Sequence, residues 1–190
     1  METILTFFFQ RVQDLTAIQS SLRFLPAPVS GAISNIVIGF IVHKVSAIYL
    51  VTGGVLISAV GPLVMVFATP NSSYWSGAFL ANTFNPVGAD SLFTIANLLI
   101  TSVFPPKTQG LAGGVFNTVS QIGKSVGLAL VAVIAASVTK DSEFKDKDSP
   151  RALLQGYRAT FWFCFALVLT TLVVSAWGLK RIGKVGHKRE

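Results

Sequence analysis

Five stretches of this chain are long and apolar enough to cross a lipid bilayer, and that property leaves few folds open to it. They cover about 25–42, 47–68, 76–100, 111–138 and 160–179. A helix rises about 1.5 Å per residue, so roughly 20 apolar residues cross the hydrocarbon layer. Inside hydrocarbon every backbone N–H and C=O must find a partner within the protein, which restricts spanning segments to helices and closed barrels. The ten-residue stretches of alternating polarity that build barrels are absent from the sequence. The expected fold is an all-α integral membrane protein with about five transmembrane helices. Composition agrees: 12% of the 190 residues are charged, against about 25% in ordinary soluble chains.

The spans divide the chain. Residues 1–24 read as a partial helix and a polar loop, 25–179 as the transmembrane bundle, and 180–190 as a basic cytoplasmic tail. Most joints are short, and Pro105-Pro106 marks the stop between the third and fourth spans. The longest joint, 139–157, is crowded with charges such as Lys140, Asp141, Lys147 and Asp148 and reads as a solvated loop. Met1 to Phe9 is apolar but too short to span. It reads as the last turns of a helix that continues upstream, or else as a short interfacial helix.

The net charge of +7 is carried largely by Lys180, Arg181, Lys184, Lys188 and Arg189. A basic cluster just past an apolar span is a cytoplasmic flank that favours anionic lipid, and it lacks the aromatic interleaving of a nucleic-acid surface. The lipid bilayer is therefore the expected partner, and nucleic acid is not. The positive-inside rule alone ties at seven Lys and Arg on each side. Cys164 is the single cysteine and lies in an apolar run; His43 and His187 have no ligand or triad partners at a useful spacing. No phosphate loop or nucleophile elbow is present, so neither an enzyme, a metal site nor a cofactor is expected.

Chemistry concentrates on two spans. Asp90 lies deep in the third and Lys124 deep in the fourth. A charge at the bilayer centre costs about 2.5–3.5 kcal/mol by insertion scales, so such residues are normally paired or functional. Asn82, Pro86, Asp90, Thr94 and Asn97 recur every three or four residues, which places them on one helical face. Gly113, Asn117, Gln121 and Lys124 do the same on the next span. Such stripes face a bundle interior or a wet cavity. Two roles fit: hydrogen-bonding glue, with Asp90 and Lys124 as a neutralising pair, or the lining of a pathway with Asp90 as its titratable group. Gly113, Gly114, Gly123 and Gly127 add a thin face suited to close helix packing, with Gly123 and Gly127 at the four-residue spacing. Pro62 and Pro86 fall inside spans, where a missing backbone donor bends the helix.

The stretch Asn85-Pro-Val-Gly-Ala-Asp90, continued by Phe104-Pro-Pro-Lys-Thr-Gln-Gly-Leu-Ala-Gly-Gly-Val-Phe-Asn117-Thr-Val-Ser-Gln121-Ile-Gly123, resembles the C-terminal half of major facilitator superfamily transporters. The likeness is strongest to the fungal fourteen-spanner drug:proton antiporters and covers nearly the whole chain. The family's loop motif would fall at Gly39 to Ser46, where His43 stands for its acid, Lys44 for its base and Ser46 for its second glycine, a degenerate form. The resemblance implies a carrier that opens alternately to either side, with its substrate between two six-helix halves. It also implies a cytoplasmic C-terminus, which resolves the charge tie, and a plasma membrane location. The third and fourth spans would border the central cavity. Small-molecule substrate and protons would then be partners once a missing half completes the carrier, and the 190 residues alone are not expected to transport. The alternative is a non-transporting module that assembles with other membrane helices through its glycine faces.

Overall fold

The computed structural model describes residues 1–179; the basic tail assigned to 180–190 lies outside the described residues. Seven α-helices follow one another: α1 Glu2–Phe7, α2 Ala17–Arg23, α3 Pro26–Ile41, α4 Ala47–Val66, α5 Ala78–Val103, α6 Pro106–Lys140 and α7 Pro150–Gly178. A π-helical turn, Phe8–Val12, prolongs α1, and a 3-10 turn, Tyr74–Ser76, leads into α5. Five helical segments are long and apolar enough to cross a membrane, the first being α2 and α3 taken together as Ala17–Ile41.

Local chemistry explains where the elements begin. Thr16 and Gln19 form a reciprocal capping box at the start of α2. Pro26, Pro106 and Pro150 open α3, α6 and α7, at positions where a missing N–H breaks no helical bond. The fourth span therefore starts at Pro106, earlier than the apolar run, because the proline that stops one helix nucleates the next. The last helix starts ten residues before the apolar run beginning at 160. The Ser149 hydroxyl accepts from the Ala152 N–H, and Ala152, Leu154, Gly156 and Tyr157 are buried. Half of what reads as a charged loop is thus the packed first turns of α7.

α4 is the central helix, flanked by α5 and α7; α3 packs on α5, and α6 on α7. Lipid tails are as apolar as leucine, so association of such helices depends on close packing of small residues rather than on hydrophobic burial. The α4–α5 seam has that form. A Cβ on Gly88 would lie 2.7 Å from the Ser58 Cβ and 3.2 Å from the Gly54 oxygen, and one on Gly61 would lie 3.3 Å from the Ala81 oxygen. Next to Pro86, the Ser58 hydroxyl donates to the Asn85 carbonyl at 2.9 Å, a side-chain bond beside the kink-forming residue. Large residues such as Phe40, Tyr49, Val173 and Trp177 point outward, as lipid contact requires.

The N-terminal stub packs against the bundle. Ile4, Leu5, Phe8, Phe9 and Val12 are buried in one cluster with Met65, Ala81, Leu154 and Phe161. The stub is a structural part of the bundle, closing the end at which α4 stops and α7 starts.

Candidate functional site

Asp90 and Lys124 each lie near the middle of their helix, α5 and α6. They do not form an ion pair: no acid–base pair within 4.0 Å occurs among the described residues. The Lys124 ammonium instead lies 5.5 Å from the centroid of the Phe93 ring, a cation–π arrangement, and Phe93 meets Phe116 of α6 edge-on at 5.3 Å. Aromatic contact thus joins the two polar helices at mid-depth.

The Asp90 carboxylate turns the other way, into the seam between α5 and α3. Its Oδ2 sits 2.8 Å from where a Cβ on Gly31 would be. One helical turn along both helices, the Thr94 hydroxyl donates to Asn35 Oδ1 at 2.9 Å. Gly31 and Asn35 are four apart on α3, and Asp90 and Thr94 four apart on α5, so the pairs stack as two polar rungs. Nearer the end of the seam, Ser30 donates to the Thr83 carbonyl. Asp90 is half-buried and its carboxylate has no hydrogen-bond donor among the described residues.

The remaining predicted residues scatter. Asn82 is buried, 2% exposed, and its amide donates to the Arg23 carbonyl at 2.9 Å. It belongs to a polar knot at the bundle end. Tyr74 donates to the same carbonyl at 2.8 Å. The Arg23 guanidinium lies over the Phe9 and Tyr74 rings and donates to Gln13 at 2.6 Å. Arg158 of α7 adds two hydrogen bonds to the Ala68 carbonyl past the end of α4. Tyr74→Phe should lower stability by about 0.5–1.5 kcal/mol, the usual worth of one such bond, because Asn82 still serves the Arg23 carbonyl. Thermal unfolding in detergent would measure it.

Asn97, Asn117 and Gln121 are exposed, and their side chains bond to no described residue. Gly113, Gly114, Gly123 and Gly127 pack against nothing: an added Cβ would meet no atom within 4 Å. The close-approach glycines are Gly31, Gly54, Gly61, Gly88 and Gly156 instead. Gly39 is likewise open, and His43 and Lys44 are exposed in the turn after α3. Gly31 and Asn35 escaped the sequence reading; the available signal was a small residue and the helix's lone amide four apart, beside Ser30 and Ser34 in a mostly apolar helix.

The model of the Major Facilitator Superfamily matches residues 4–189. The chain is 39% identical to an MFS-type transporter of Pyricularia oryzae over 94% of its own length and 32% of that protein's. It is 25% identical to a low affinity ammonium transporter of Saccharomyces cerevisiae, covering 89% of this chain and 31% of the relative. An efflux pump of Aspergillus terreus is 21% identical, over 88% of this chain and 31% of the pump. The chain therefore spans about a third of the length of the curated relatives it matches. No solved structure matches it.

Proposed function

This integral membrane chain belongs to the Major Facilitator Superfamily, and from that premise we propose that it serves as one helical body of a carrier exporting small molecules in exchange for protons. The observation that carries this reading is the Asp90 carboxylate, held at mid-depth in the α3–α5 seam without a lysine or arginine beside it. An acid so placed and unpaired is costly unless it has work to do, and alternate protonation is the work available to it. The efflux pumps among the relatives support export as the direction.

Alternating access requires two bodies rocking about a midplane site. This chain supplies one, and in this proposal it completes no transport cycle alone. The polar faces with Asn97, Asn117, Gln121 and Lys124 border the pathway once the other body is in place. The carrier sits in the plasma membrane with the C-terminus of this chain in the cytoplasm.

A chimera tests the proposal. The 190 residues would replace the matching third of the Pyricularia oryzae transporter, and the product would be assayed in proteoliposomes for dye export driven by a pH gradient. The chimera should export and acidify the appropriate side, while the 190 residues alone should give background flux. Proton-coupled flux from the chain alone, or an inserted chimera with none, would refute it.

A further inference from the structure

Lys124 stands 18 residues from the start of α6 at Pro106 and 16 from its end at Lys140, roughly four turns or more from either. Lysines near helix ends reach the headgroups by extending their side chains, but this one lies too deep. Headgroup phosphates cannot come to it either, since half of the hydrocarbon layer, about 15 Å, separates them from the midplane. The ammonium has no carboxylate within 4.0 Å among the described residues. It lies 5.5 Å from the Phe93 ring centroid. A ring face returns less than the desolvation of a mid-membrane charge costs. Such a lysine needs an anion whether or not another helix covers it.

The chain has one acid that could have served. Asp90 is mid-helix on the adjoining α5, one turn from Phe93, yet its carboxylate faces the α3–α5 seam, with Oδ2 2.8 Å from where a Cβ on Gly31 would be. An acid and a base at the middle of adjoining helices that turn apart leave the base for an anion that comes and goes. From the transport reading above, we infer that this anion is the substrate: the pathway takes an amphipathic organic anion, and Lys124 reads its charge. The neighbouring groups fit that chemistry. Asn117, Gln121 and Lys124 recur at four and three residues on one face of α6. Both amides bond to no described side chain, so their N–H groups can join the ammonium on a carboxylate, sulfonate or phosphate. Phe93 and Phe116, edge-on at 5.3 Å, supply an apolar wall alongside for the body of the molecule. A cationic substrate would meet a like charge there, and a neutral one would leave Lys124 uncompensated.

Competition in proteoliposomes carrying the Pyricularia oryzae chimera tests this. Naphthalene-2-sulfonate stays ionised and so cannot carry protons across the bilayer. It should block pH-driven dye export at about tenfold lower concentration than naphthalene-2-sulfonamide, its uncharged counterpart, the worth of one charge-assisted hydrogen bond. Naphthylmethylammonium should block least. In Lys124→Gln the sulfonate and the sulfonamide should become equal. Lys124→Arg should keep the preference, and Lys107→Gln, at the start of α6, should not alter it. Thermal stabilisation of the detergent-solubilised chimera by each compound reads the same preference in a variant that no longer exports. Equal potency of the sulfonate and the sulfonamide in the parent chimera, as expected if a carboxylate of the other body neutralises Lys124, would overturn the assignment. So would a preference that survives Lys124→Gln. Those results would leave proton-coupled export standing, whereas a chimera that exports no dye would remove that reading and this inference together.

Discussion

Gly156→Leu is expected to detach α6 from α7 and to destabilise the chain by about 3 kcal/mol, the upper part of the range for forced overpacking. Even a Cβ there would lie 2.5 Å from the Ala135 carbonyl oxygen, and it would also meet the Thr139 hydroxyl. The obstacle is backbone on the neighbouring helix, which cannot rotate aside as a side chain can. α6 has few other anchors: Val131 is its one buried residue among those described. Leucine improves helix propensity over glycine, yet that gain is below about 1 kcal/mol and does not offset the clash. A Cβ at Gly123 or Gly127 would meet nothing within 4 Å, on exposed stretches of α6, so Gly123→Leu and Gly127→Leu should leave stability within about 0.5 kcal/mol. Thermal unfolding of the three variants in one detergent measures the contrast. If the Gly123 and Gly127 variants melted early and the Gly156 variant did not, the α6–α7 contact described here would be wrong.

That contrast also shows what the sequence discloses and what it withholds. The spans are legible because length and apolarity are properties of each segment alone. Helix starts are less so: Ser149-Pro150 and the capping box of Thr16 and Gln19 lie in polar stretches where hydropathy sees only loop. Glycine spacing at 123 and 127 reveals a thin helix face but not whether a neighbour occupies it. The seams that are occupied use Gly54, Gly88 and Gly156, whose partners come from other helices and are invisible to local spacing. The polar face of α5 was legible as a face, yet its members have different fates. A helix of 26 residues passes different neighbours at different heights. Asn82 near its start meets the Arg23 carbonyl, Asp90 at its middle meets Gly31, and Asn97 beyond them meets no described side chain.

Asp90→Asn should reduce proton-coupled movement to background in the transport-competent chimera while leaving insertion and folding intact. The amide is nearly isosteric with the carboxylate, so the α3–α5 seam has no steric reason to open. What the variant lacks is a site that gains and loses a proton, and no other acid of the described residues lies inside α3, α4, α5, α6 or α7 to take over. Gly31→Ala separates position from identity. The carboxylate remains, but the new methyl would stand 2.8 Å from Oδ2, so the side chain must swing out of the seam. That variant should keep transport and shift its pH dependence, because the acid then samples a different environment. Gly39→Ala, two turns further along α3 with nothing within 4 Å, should match the parent. A pH profile of flux for the three variants decides among the roles. Unchanged coupling in Asp90→Asn would remove Asp90 from the mechanism; a flat response to Gly31→Ala beside a dead Asp90→Asn would keep the acid and discard the seam as what positions it.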